Sequence, residues 1–99
     1  MNAVRTTMNL DVLIHESNRL KIMSVLAECD MADFGFLLSA ASLTRGNLSS
    51  HMSKLVQAGY IDEKKDFIAR KPHTEYRLTP KGRDAYVKYR KQWRGITGG

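Results

Sequence analysis

Apolar residues recur at helical intervals through the first part of the chain and change to strand-like alternation after Gly59. From Ser17, the apolar positions Leu20, Ile22, Met23, Val25 and Leu26 are interrupted only by a narrow polar strip of Lys21, Ser24 and Glu28, which predicts a helix capped by Ser17. Leu10, Leu13 and Ile14 predict a short additional helical segment, broken near His15 and Glu16. A second helix is expected from Asp33 to Ala41, with Asp33 as its cap and Phe34, Leu37, Leu38 and Ala41 on one face. Ser42, Leu43 and Thr44 then form a very short connection to the best-signalled helix of the chain. Thr44 is its N-cap, Leu43 lies at the offset that packs on Leu48, the stripe Leu48, Met52 and Leu55 faces inward, and Gly59 ends the helix in a left-handed turn.

Beyond Gly59 an extended segment runs from Tyr60 to about Ile68, and Thr74 to Leu78 alternates as a half-buried strand does. The intervening residues 69–73 read as a cationic hairpin loop, since Pro72 is expected to bar regular pairing. Thr79 and Pro80 open the last helix, residues 79–94, with Ala85, Tyr86, Tyr89 and Trp93 along one side. The expected architecture is mainly α with a small β-hairpin. One domain is expected over residues 10–94, between a flexible N-terminal segment (1–9) and a flexible tail (95–99).

Composition narrows the class. A chain of 99 residues, 42% apolar and 26% charged, supports one compact core and is not compositionally disordered. Its net charge of +6 is unevenly placed: residues 1–59 carry five Lys/Arg and five Asp/Glu, whereas residues 60–99 carry eleven and five. A basic half of this kind suits a polyanionic partner, although a solvated surface would account for the charge as well. No apolar run approaches the length that crosses a bilayer, and the first residues lack the pattern of a secretory signal, so no membrane association and a cytoplasmic location are expected. The single cysteine, Cys29, allows no internal disulfide.

Two helices joined by a three-residue turn form a helix-turn-helix. The segment Thr44-Arg45-Gly46-Asn47-Leu48-Ser49-Ser50-His51 opens the third helix. With it go the Arg19 to Leu26 segment, the Leu55 to Tyr60 helix exit, Arg70-Lys71-Pro72 in the hairpin and Leu78-Thr79-Pro80-Lys81-Gly82. In their order and spacing these features resemble the winged helix-turn-helix regulators related to the MarR and ArsR families, and most of all their short stand-alone members. The resemblance covers about Leu10 to Trp93. It implies a three-helix core, a wing and a C-terminal dimerisation helix, and a homodimer on double-stranded DNA with one recognition helix per half-site of a roughly palindromic operator.

In such a fold the third helix enters the major groove, where each base pair shows a distinct donor and acceptor pattern. With Leu48, Met52 and Leu55 inward, a rotation of about 100° per residue turns Gly46, Asn47, Ser50, Ser53 and Lys54 to the opposite face. Arg45 is placed either to fork onto guanine or to hold a phosphate. Asn47 either pairs with adenine or satisfies local backbone groups, while Ser49 and Ser50 bind phosphate or face water. Gly46 offers close approach of its bare backbone, and Thr44 and Lys54 complete the set. Arg70, Lys71 and His73 at the hairpin tip are expected to reach flanking phosphates or the minor groove. His51, at the edge of the inward stripe, reads as a packed, hydrogen-bonded histidine. Leu10, Leu13, Ile14, Tyr86, Tyr89 and Trp93 are the candidates for the dimer interface.

The residues give no support to other chemistry. His15, His51, His73 and Cys29 are scattered, no carboxylate pair stands out, and neither a catalytic centre, a metal site nor a cofactor is expected. An RNA-binding platform would need exposed aromatics that the third helix lacks. The competing reading is a winged-helix module that binds a protein partner without sequence-specific DNA binding. No residue identifies a small-molecule effector.

Overall fold

The structure, a computed structural model, describes residues 10–97; the segment 1–9 and residues 98 and 99, for which flexible ends were expected, lie outside the described residues. The elements follow in the order α1 (Ser17–Glu28), β1 (Ala32–Asp33), α2 (Phe34–Ala41), α3 (Arg45–Gln57), β2 (Ile61–Ile68), β3 (Lys71–Leu78) and α4 (Pro80–Thr97). A single core joins them. Ile14, Ile22, Met23, Leu26, Leu37, Leu48, Met52, Leu55 and Ile61 are fully buried there, one or more from each of α1, α2, α3 and β2. The predicted inward stripes of the three core helices are therefore the stripes the fold uses.

The start of the core differs from expectation. Leu10 and Ile14 are buried, but the chain makes one turn rather than a helix. The Asp11 carboxylate closes that turn by accepting from the amides of Leu13 (2.9 Å) and Ile14 (3.2 Å), and the His15 amide donates to the Asp11 carbonyl. An aspartate that offers its side chain to nearby amides competes with helix continuation. Helix α1 is capped by Glu16, not Ser17: its carboxylate accepts from the Arg19 amide at 2.8 Å while its own backbone is extended. A carboxylate reaches the same orphan amide as a hydroxyl and adds a favourable charge at the helix start.

Strand β1 was not foreseen. It pairs antiparallel with β3 through Ala32 opposite Tyr76 and Asp33 opposite Glu75, and gives a three-stranded sheet in the order β1-β3-β2. Asp33 then caps α2 by accepting from the Phe36 amide at 2.7 Å. Strands β2 and β3 pair along their whole length, from Ile61 opposite Leu78 to Ile68 opposite Lys71. The expected five-residue loop is thus a two-residue turn, Ala69-Arg70, and Lys71, Pro72 and His73 belong to β3. Pro72 pairs with Phe67 without disturbing the ladder. Successive N–H groups of an antiparallel strand point to alternate edges, and the one Pro72 lacks would point to the edge that β1 does not reach. Ala69 (φ 51°) and Arg70 (φ 67°) both adopt left-handed backbone, as the tight hairpin turn demands, at a cost of about 1–2 kcal/mol each for residues with a Cβ.

Helix α4 runs to Thr97 and so takes in most of the expected tail, with Ile96 half-buried against the core cluster. Its start is fastened to the end of α3. Gly59 turns left-handed (φ 80°), Thr79 Oγ1 donates to the Gly59 carbonyl at 2.6 Å and accepts from the Gly82 amide at 2.9 Å, and the Thr79 amide donates to the Tyr60 carbonyl at 3.0 Å. Gly82 packs so closely that a Cβ there would lie 2.0 Å from the Tyr60 carbonyl oxygen. The Tyr60 hydroxyl donates to Asp11, and burial, reinforced by that carboxylate, pushes the phenol up to about 12.

Candidate nucleic-acid interface

Helix α3 starts because Thr44 caps it: the backbone of Thr44 is extended, and its Oγ1 accepts from the Asn47 amide at 3.2 Å. Burial of Leu48, Met52 and Leu55 then fixes the rotation of the helix about its own axis. Arg45, Gly46, Asn47, Ser49, Ser50, Ser53 and Lys54 are all exposed as a result, and a Cβ on Gly46 would meet no other heavy atom within 4 Å. The face is thus short, polar and free of bulk at its N-terminal end. A helix of this kind can approach a groove wall closely, with one arginine, one asparagine and two serines able to hydrogen-bond.

The position of Arg45 is set by α2. Its guanidinium carbon lies 5.7 Å from the centre of the Phe34 ring, a cation–π arrangement that orients the side chain without using its hydrogen-bond donors. Arg45 also borders a depression of about 410 Å³ whose other walls are the end of β1 (Asp33), the start of α2 (Phe34, Gly35) and the inner part of β3 (Pro72, His73, Thr74). The fold therefore brings the first residue of α3 beside the hairpin. That proximity was not legible in the sequence, where Arg45 and Pro72 are far apart.

The hairpin separates residues that were grouped together. Arg70 stands in the turn itself and Lys71 immediately follows it, both exposed. His73 lies two residues farther back and is half-buried, with Nε2 3.6 Å from Glu75 Oε1. It belongs to the inner wall rather than to the tip. Lys64 and Lys65 on β2 are exposed as well, Lys65 within 3.8 Å of Glu63.

Behind α3 sits a brace that the residue pattern did not reveal. Arg19 of α1 donates through Nε to the Leu13 carbonyl at 2.6 Å and through Nη1 to His51 Nδ1 at 3.1 Å, while Glu16 Oε1 lies 3.8 Å from the same imidazole nitrogen. Burial pulls the Glu16 carboxyl up, but the Arg19 amide, the neighbouring His51, the charge of Arg19 and the Asn18 amide together outweigh it and hold the group below its usual range. His51 is thus the hydrogen-bonded histidine expected from its place on the helix, and Arg19 and Glu16 are the residues that position it. A capping acid followed three residues later by arginine is the only local signal, and it does not announce the contact with α3.

The candidate dimer residues divide. Leu10, Ile14, Tyr86 and Tyr89 are buried in the chain's own core, and Leu13 packs against it. The Tyr86 hydroxyl lies 2.9 Å from Ser24 Oγ, and the Tyr89 hydroxyl 2.7 Å from His15 Nδ1. Trp93 is 44% exposed and Val87 46%, so α4 keeps two exposed apolar side chains, about 120° apart around the helix, beyond the tyrosines that fasten it to Ser24 and His15.

Comparison with known proteins fits this architecture. The family model described as the winged helix DNA-binding domain matches residues 18–96. An uncharacterised protein of Methanocaldococcus jannaschii is 35% identical over 71 residues, which cover 72% of this chain and 77% of that protein. The structure of a transcriptional regulator homologue from Pyrococcus horikoshii OT3 superposes with a TM-score of 0.87 at 26% identity, covering all of this chain and 97% of the other. A MarR-family transcriptional regulator from Silicibacter pomeroyi shares the fold at a TM-score of 0.70 and 20% identity, over 96% of this chain and 63% of its own. The chain belongs to the winged helix DNA-binding domain family, with the fold of the MarR-like transcriptional regulators.

Proposed function

We propose that the protein binds double-stranded DNA sequence-specifically as a homodimer and regulates transcription. Helix α3 enters the major groove and the β2–β3 wing lies over the flanking phosphates and minor groove. The observation that carries this reading is the junction of the two: the unobstructed polar start of α3, with Arg45 at its edge, opens beside a hairpin that ends in Arg70 and Lys71. In this division of labour Arg45 and Asn47 read bases, whereas Arg70 and Lys71 neutralise phosphates and set affinity.

The homodimer is supported by the exposed apolar side chains Trp93 and Val87 on α4, which contact with a second copy would cover. Two copies related by a twofold axis place their α3 helices on successive turns of the duplex, and the operator is then roughly palindromic. Electrophoretic mobility shifts on fragments surrounding the protein's own gene, with bulk DNA as competitor at moderate salt, test the DNA reading. A fragment that outcompetes bulk DNA is the expected result, and competition by bulk DNA alone would remove sequence specificity. Sedimentation at micromolar concentration tests the second copy; a monomer would remove the palindrome with it.

A further inference from the structure

The wing carries two side chains that charge neutralisation does not explain. Phe67 and Ile68, adjacent at the end of β2, are 71% and 57% exposed. They lie well past the part of the sheet that joins the core, which is Ala32, Ile61, Tyr76 and Leu78 at the base. Phe67 faces the same side of the sheet as those core residues, by the two-residue alternation of a strand, and its cross-strand partner is Pro72. The end of the hairpin thus presents a phenyl ring beside a proline ring on one face and Ile68 on the other.

The charge around them selects the partner. Lys64, Lys65, Arg70 and Lys71 surround the apolar pair; Glu63 beside Lys65 and Glu75 opposite Lys64 lie toward the base, and the carboxylate next to the pair, Asp66, accepts from the Phe67 amide at 2.8 Å. A surface that is apolar at its centre and cationic at its rim fits a partner with anions outside and an apolar stack inside. Duplex DNA has that build at its minor groove, where phosphates flank the edges of stacked bases. The turn is suited to the space: Ala69 and Arg70, both left-handed, close the hairpin in two residues, and a groove about 6 Å wide admits only such a narrow tip.

The geometry points to the wing as a wedge. Phe67, backed by Pro72, inserts between two base pairs from the minor groove and kinks the duplex, while Arg70 and Lys71 hold the phosphates on either side. The inference rests on the DNA-binding reading above and adds to it a deformation of the DNA. It also adds a second source of specificity, because a pyrimidine–purine step such as TA unstacks more readily than others and is favoured even where no side chain reads it.

The test uses the full chain and a duplex of about three helical turns drawn from the region upstream of its gene, end-labelled for energy transfer and carrying 2-aminopurine at a TA step beneath the wing. The wild type is expected to bring the ends closer, to raise 2-aminopurine emission, and to favour the TA duplex over one with a GC step by about tenfold. Phe67→Ser combined with Ile68→Ser changes only exposed positions. This variant is expected to bind with an unchanged salt slope, since no cation is removed, and to lose both the bend and the emission. A wild-type complex on straight, fully stacked DNA overturns the wedge while leaving DNA binding in place. So does a double variant that bends DNA as the wild type does, or one whose only change is in its sedimentation, which would assign the apolar pair to contact between protein copies. A wild type that shifts no duplex overturns the DNA-binding reading itself, and the missing complex tells that result from the others.

Discussion

Helix α3 and the wing project from the same fold with opposite degrees of support. Every third or fourth residue of α3 is fully buried, and His51 behind it is held by Arg19, so the helix has one available orientation. The wing is supported only at its base, and beyond it almost every residue of β2 is exposed. The contrast suits two tasks. Reading bases requires side chains placed to a fraction of an ångström, which rigid packing supplies. Following a phosphate backbone requires charge on an arm that can adjust.

Substitutions can break this contrast or sharpen it. The largest effect is expected for Leu48→Ala, which empties a fully buried site under α3 and should lower unfolding free energy by about 2–5 kcal/mol in chemical denaturation. Phe67→Ala, equally drastic chemically, should stay within about 0.5 kcal/mol, because the ring packs on no core. Similar losses from both would mean that the wing is as firmly supported as α3. Next in size, Arg45→Ala should cost about 1–3 kcal/mol on the preferred duplex and relax the preference at one position. Arg70→Ala with Lys71→Ala should instead weaken all duplexes alike and reduce the slope of log K against log salt by about two, as binding titrations over a range of salt would show. Uniform loss from both variants would erase the distinction between reading and anchoring. The smallest effect is expected for Ala69→Gly: relief of left-handed strain, partly offset by the freer unfolded chain, should stabilise the protein by about 0.5–1 kcal/mol in thermal denaturation. A loss of stability there would show that the turn is not strained.

The same contrast explains what the sequence disclosed. Thr44, Gly59 and the Thr79-Pro80 pair mark helix ends through bonds within a few residues, and local rules find them. Leu48, Met52 and Leu55 announce a buried stripe because burial follows helical period. What escaped depends on partners distant in the chain. Strand β1 is two residues whose meaning comes only from Tyr76 and Glu75. Pro72 reads as a loop residue unless it is known that one edge of β3 is open beside it. Tyr86 and Tyr89 read as surface for a second copy, yet Ser24 and His15 hold their hydroxyls within the same chain. For the interface, the exposed face of α3 and the cations of the wing were visible in the sequence. The brace of Glu16, Arg19 and His51 was not, nor was the closeness of Arg45 to the inner wall of the hairpin.

The fastening between α3 and α4 has a mechanical consequence. A pivot needs a segment whose torsions can change without breaking bonds, but Gly59, Tyr60, Thr79 and Gly82 tie the end of one helix to the start of the next through the Thr79 hydroxyl and a backbone amide-to-carbonyl bond. At Gly82 not even a methyl group would fit between the two segments. The joint is a weld. With α4 rising about 1.5 Å per residue over its eighteen residues, it is a lever about 27 Å long rigidly joined to the helix assigned to the groove. A displacement of α4 at its far end, near Trp93, is therefore expected to be carried to the end of α3 rather than absorbed at the joint.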